Sequence, residues 1–177
     1  MQKNQFYSAM LAALALILSS AVHARAPEGW PFSEYNDAAQ MSRQMNKPMF
    51  VYFGFATCPY CLYANEHTFS SVALRKLYTD HYVLAYFDIR GNPADSITLP
   101  GGEVMTRAEA IKRLKGSPVP AWMFVAADGR EILMRRGSRT KVDAFMQFDL
   151  YVTSGEYRKV SFEEFLWRRG LREEKVE

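Results

Sequence analysis

The sequence predicts an α/β fold in which helices flank a mixed central β-sheet, and three observations carry that prediction. Two runs, Met49–Phe55 and Tyr82–Ile89, are almost continuously apolar and rich in aromatic residues, the pattern of strands buried on both faces. A third stretch, Ala121–Ala126, is followed by Ala127-Asp128-Gly129 and Glu131–Arg136, which reads as an antiparallel hairpin. Helical patterns precede and separate the first two strands, stand before the hairpin and follow it, so the order is helix, strand, helix, strand, helix, strand, strand, helix.

Taken in order, Met1–Ala24 reads as a secretory signal: Lys3, an apolar run from Ala9, and Val22-His23-Ala24 as a small-residue cleavage site, with the cut after Ala24. A cut after Ala26 would leave Pro27 at the first mature position. The apolar run ends near Ala21, short of the roughly 20 residues needed to span a bilayer, which argues against an uncleaved anchor. Residues 25–177 then fall within the size of one domain, with a C-terminal helical extension over about 154–177.

Ser33–Asn46 reads as a helix stopped by Lys47-Pro48, with Ala38, Ala39, Met41 and Met45 as its inner face. After the first strand, Pro59 opens a second helix that Thr68–Ser71 interrupts before a further segment through Leu77. Arg90–Met105 is a long Gly/Pro-rich connection. Thr106-Arg107-Ala108-Glu109 matches a capping box and opens a helix to Leu114. Lys141–Thr153 reads helical, and Ser161-Phe162-Glu163-Glu164 opens a last short helix to Arg169. There is no internal repeat and no low-complexity tract.

The formal net charge is +3, with acidic and basic residues interleaved. The pairs Arg135-Arg136 and Arg168-Arg169 are too short to form a nucleic-acid or anionic-lipid footprint, so no nucleic-acid partner is expected.

The chemistry lies in "ATCPYCLY". Cys58 and Cys61 are the only cysteines. An exported domain would use a disulfide as a staple, but a pair three residues apart closes the loop with the least entropic effect. Dithiol chemistry fits the spacing better. It needs two thiols within disulfide reach, one of them ionised and accessible, and a helix N-terminus favours a thiolate. Strand, Cys58, Pro59 and helix in succession place Cys58 at such a terminus, with Cys61 one turn further in. Cys58 thiolate can then attack a partner disulfide, and Cys61 can resolve the mixed disulfide.

Strand-Cys58-Pro59-Tyr60-Cys61-helix, followed about 60 residues later by Val119-Pro120 at the start of a hairpin turning at Asp128-Gly129, resembles the thioredoxin superfamily. The resemblance covers roughly Trp30–Thr153. It implies a thioredoxin fold and a cis proline at Pro120, nine residues before Gly129, rather than at Pro118. It also implies that Val119 and Pro120, with Pro59 and Tyr60, contact the substrate. "NKPMFVYFGFATCPYC", "TFSSVALRKL" and "YVTSGEYRKVSFEEFL" are similar to exported bacterial thioredoxin-like proteins, those of sulfur-oxidation clusters and the soluble domain of membrane electron transducers. That likeness implies a periplasmic thiol-disulfide oxidoreductase that keeps protein disulfides reduced, with a membrane-embedded thiol electron donor and no cofactor. Two alternatives stay open: a net disulfide oxidase or isomerase, and a non-catalytic binding module or holdase.

The sequence also departs from the thioredoxin pattern. Pro59-Tyr60 is the dipeptide of glutaredoxins. Tyr52 stands where many thioredoxins bury an aspartate that helps deprotonate the second cysteine, and Gly54 stands where a tryptophan is common. Proton transfer then falls to water or to Glu66. His67 lies off the Cys61 face of its helix, so no metal site is expected. The nine methionines, several of them core-like, do not suggest a copper site.

Overall fold

The computed structural model describes residues 26–99 and 101–171. The segment read as a secretory signal, the cleavage site expected after Ala24 and the last residues of the expected C-terminal extension therefore lie outside the described residues.

Strand β1 (Ser33–Glu34) leads directly into α1 (Tyr35–Met45), followed by β2 (Met49–Gly54), α2 (Pro59–His67), α3 (Val72–His81) and β3 (Val83–Asp88). A small hairpin of β4 (Ser96–Thr98) and β5 (Val104–Thr106) precedes α4 (Arg107–Arg113). Then come β6 (Ala121–Val125), β7 (Glu131–Arg136), α5 (Val142–Thr153), a 3-10 turn at Glu156–Arg158 and α6 (Phe162–Arg168). The main sheet runs β1-β3-β2-β6-β7. β1 and β2 lie parallel to β3, β6 is antiparallel to β2, and β7 is antiparallel to β6. This is the mixed sheet that the strand order predicts.

Every residue of β2 and of β3 is buried, as the unbroken apolar runs require. In β2 the alternation of a pleated strand divides the residues between two cores. Phe50 and Tyr52 join an aromatic core with residues of α2, α3, α5 and α6. Met49, Val51 and Phe53 join the opposite core with α1, Ile97 and Ala110.

Local signals explain the helix limits. Asn46 ends α1 in the left-handed region, at φ 48°. Between α2 and α3, the Thr68 hydroxyl donates to Thr140 O at 2.7 Å, and Ser71 Oγ caps α3 by accepting from Leu74 N. The Thr106–Glu109 capping box is fully formed. Ser161 caps α6 through Glu164 N.

Three features differ from the sequence reading. Met41 and Met45 are exposed; the inner face of α1 is Tyr35, Ala38, Ala39 and Ser42, an i, i+3, i+4, i+7 stripe. β1 is only two residues long and pairs with β3 at the sheet edge, too short to leave an alternation. The Arg90–Met105 connection contains the β4–β5 hairpin, tied to α1 by both ends of the Asn36 amide. Arg107 fastens its base, donating to Asp88 O and to Asp95 Oδ2.

Candidate active site

At the C-terminal end of β2 the chain leaves the sheet through Phe55-Ala56-Thr57 and turns into α2. Cys58 N–H donates to Phe55 O at 3.1 Å, closing the turn. Cys58 is the N-cap of α2, with extended backbone, and its Sγ accepts the Cys61 N–H at 3.2 Å. Pro59 occupies the first helical position, where the missing N–H leaves no intrahelical bond unmade. The Cys58 sulfur thus sits at the positive end of the helix with a backbone donor aimed at it, an arrangement that stabilises negative charge.

Both sulfurs are free thiols and both residues are buried, with Cys58 2% and Cys61 3% exposed. The expectation of an accessible Cys58 beside an enclosed Cys61 is therefore corrected. Cys58 belongs to the aromatic core, and Phe55 and Val119 pack against that core. The two cysteines differ in their surroundings instead. Burial, and then the hydrogen bond with the Cys58 side chain, push the Cys61 thiol up to about 12; the Phe55 backbone and the Tyr52 hydroxyl offset part of this. Near neutral pH Cys61 is protonated, which suits a sulfur that acts second.

Tyr52 is wholly buried, and its hydroxyl donates to Asn65 Oδ1 at 3.0 Å and toward Cys61 O at 3.4 Å. Burial, followed by the neighbouring Cys61, holds the phenol well above its ordinary range. Tyr52 therefore remains a donor and cannot take over the proton-accepting role of an aspartate at that position. Glu66 is exposed, and Asn65 is the α2 residue that the Tyr52 hydroxyl reaches.

The structure adds a residue that sequence reasoning missed, Tyr86, and gives Gly54 a role beside it. β2–β3 register places Tyr86 beside Tyr52. A Cβ on Gly54 would stand 3.2 Å from the Tyr86 hydroxyl and 3.3 Å from Cys61 Sγ. Gly54 thus leaves room for both that hydroxyl and the second sulfur, which a side chain there would crowd. The signal for Tyr86 was register, which a run such as "YVLAYFDI" does not reveal.

Among the remaining predicted residues, Tyr60, Val119 and Pro120 line one hollow together with Pro118, Arg136, Gly137 and Ser138. Pro59 is exposed at the start of α2 and is not among the residues lining that hollow. The Val119–Pro120 peptide is cis, and so is Ser117–Pro118, for which the sequence suggested no such geometry. His67 stacks on Tyr63, with ring centroids 4.0 Å apart.

Comparison with known proteins follows this geometry. No curated protein sequence matches the chain. Among solved structures, the chain is similar to a thioredoxin from Thermus thermophilus, at 20% identity and TM-score 0.58, covering 75% of this chain and 97% of that one. It is also similar to a thioredoxin-fold protein from Helicobacter pylori, at 18% identity and TM-score 0.57, covering 71% and 80%. A disulphide isomerase from Xylella fastidiosa aligns at 15% identity and TM-score 0.50, covering 71% and 98%. At these identities the likeness is one of fold. The sequence profile of the thioredoxin-like domain matches residues 35–148, more than half of the chain, and the protein therefore belongs to the thioredoxin-like domain family.

Proposed function

We propose that the protein is a thiol-disulfide oxidoreductase that reduces disulfides of exported proteins in the periplasm. The observation that carries this reading is the asymmetry of the pair. Cys58 Sγ receives a backbone N–H at a helix N-terminus, while Cys61 is held as a thiol.

In the forward direction, Cys58 thiolate attacks one sulfur of the partner disulfide, forming a mixed disulfide and releasing the other partner sulfur as a thiolate that takes up a proton. Cys61 then gives its proton to water and attacks Cys58 Sγ. The Cys58–Cys61 disulfide forms, and the second partner sulfur leaves and is protonated. The partner gains two electrons from the chain and two protons; the chain gives up one proton, that of Cys61, and the other is drawn from solvent. Restoring the dithiol requires an external dithiol, for which a membrane-embedded thiol donor is the proposed source. Tyr60, Val119 and Pro120 form the surface beside the motif on which an extended partner segment would lie, with Pro59 exposed next to Tyr60 at the start of α2.

Stabilising the Cys58 thiolate favours the reduced form, and strongly oxidising members of such families owe their potential to a stabilised reduced form. The reductive direction therefore rests on the likeness to exported reductases rather than on the geometry of the pair, and the potential of the couple decides it. Equilibration of the Cys58–Cys61 couple with glutathione tests this. The expected potential lies between about −200 and −270 mV. A value near −120 mV would overturn the reductive reading in favour of a net oxidase, and a pair that never exchanges with glutathione would favour a binding module.

A further inference from the structure

Of the β2 side chains on the aromatic-core side of the sheet, Phe50 is apolar and Gly54 has none, so Tyr52 brings the polar group, its hydroxyl. Its ring is caged by Phe32, Phe69, Tyr86 and Trp122, with ring centroids 5.2–6.1 Å away. The cage fixes where the hydroxyl stands. It lies against α2 at Cys61 and Asn65, neighbours at i and i+4 on one helix face, 3.4 Å from Cys61 O and 3.0 Å from Asn65 Oδ1. Cys61 Sγ and Tyr52 Cε1 border one space over Gly54, 3.3 and 3.5 Å from the point a Cβ would occupy.

One hydroxyl proton cannot serve every acceptor at once. While Cys61 is a thiol, the Tyr52 proton goes to Asn65 Oδ1, the shorter of its two contacts. A Cys61 thiolate would be the stronger acceptor, because hydrogen bonds to a charged group are roughly twice as strong as neutral ones. The phenol itself does not ionise, since burial holds it well above its ordinary range. Its pull on the Cys61 thiol is downward, against the effect of burial on that sulfur.

On the strength of the oxidoreductase reading above, we propose that Tyr52 serves the resolving step as a switchable donor, its hydroxyl turning from Asn65 Oδ1 to Cys61 Sγ as that sulfur ionises. Cys61 gives its proton to solvent and its thiolate attacks Cys58 Sγ. The bond between Cys58 and the partner sulfur breaks, and the departing thiolate is protonated from solvent. Tyr52 keeps its proton throughout, while Asn65 sets the resting position and competes with the thiolate. The titratable groups around Cys61 are Cys58 of its own helix, Tyr52 of β2 and, bordering the space over Gly54, Tyr86 of β3. Asp88 pairs with Gly54 at the end of β3, and Glu66 is exposed.

The test mixes the reduced full chain with one equivalent of dithiobis(nitrobenzoate), an aromatic disulfide whose released thiolate is coloured. Colour should appear in two phases, the first reporting attack by Cys58 and the second displacement by Cys61. Tyr52→Phe keeps the ring and loses the hydroxyl. Its first phase should hold its rate while the second slows about tenfold at about pH 7, the scale of a hydrogen bond to a charged group. The pH profile of that second phase should move upward by about one unit. Asn65→Ala removes the competing acceptor and should move the second-phase profile to lower pH. An unchanged second phase in Tyr52→Phe would overturn the donor role and leave the oxidoreductase reading intact. So would equal slowing of both phases, which is what loosened packing alone gives, or an unchanged or upward-shifted profile in Asn65→Ala. An unsubstituted chain that releases a single equivalent, or none, would overturn the oxidoreductase reading, and the donor role with it.

Discussion

Cys61→Ser should convert the protein from a catalyst into a trap. Attack by Cys58 needs only the Cys58 thiolate, which keeps its place at the N-cap of α2 and its bond from the residue 61 backbone N–H, because that donor is not part of the replaced side chain. Resolution needs the second sulfur. A hydroxyl cannot displace the partner thiol, so mixed disulfides through Cys58 should accumulate and turnover with protein disulfides should fall to the uncatalysed rate. Cys58→Ser should be equally inactive but form no adducts, since Cys61 is buried and protonated. Non-reducing electrophoresis and peptide mapping of the adducts distinguish the two, and would identify partners. Adducts through Cys61 in Cys58→Ser, or undiminished turnover in either variant, would contradict the assigned roles.

Phe50→Ala should cause the largest loss of stability among single core truncations. Phe50 is fully buried near the start of β2, the central strand of the sheet, paired with Leu84 of β3 on one side and Phe124 of β6 on the other. Its ring meets Tyr78 edge-on at 4.9 Å and Phe124 at 5.2 Å, with Phe69, Tyr82 and Phe145 also in the cluster. Truncating a buried phenylalanine costs about 3–5 kcal/mol, since a cavity adds to the lost transfer energy. Domains of this size unfold at about 5–15 kcal/mol, so this is a large fraction of the total. Each kcal/mol shifts Tm by about 2–4 °C, and the melting temperature should therefore drop by about 6–20 °C. A denaturant series giving less than about 1 kcal/mol would mean that the aromatic core does not centre on β2.

Much of the architecture was legible because it rests on local signals that the chain cannot easily disguise. The runs that became β2 and β3 are too apolar to be anything but doubly buried strands. Thr106 with Glu109, and Cys58 with Pro59, are caps whose chemistry acts within one turn. What escaped depends on tertiary context. Met41 and Met45 fit a helical stripe as well as Tyr35 and Ser42 do, and only the position of the sheet decides between them. Two- and three-residue strands such as β1, β4 and β5 are too short for any periodicity to show.

The site divides in the same way. The position of Cys58 at a helix start could be read from its neighbours, and the hollow beside it holds Tyr60, Val119 and Pro120 together. The burial of Cys58 could not be read, because it comes from packing against residues distant in sequence. Nor could the partnership of Tyr52 with Asn65, or the way Gly54 makes room for both the Tyr86 hydroxyl and Cys61, which follow from register and from the face of α2 turned inward.

The central claim is that Cys58 attacks and Cys61 resolves, and pH-resolved alkylation of the reduced protein tests it most directly. Because the two residues are almost equally buried, access does not separate them and the order of labelling reports their ionisation. At about pH 7, iodoacetamide should modify Cys58 selectively, since only the thiolate reacts. Labelling of Cys61 should rise only at alkaline pH, toward its value of about 12. Peptide mapping that finds Cys61 modified first, or both sulfurs modified at equal rates near neutral pH, would contradict the account.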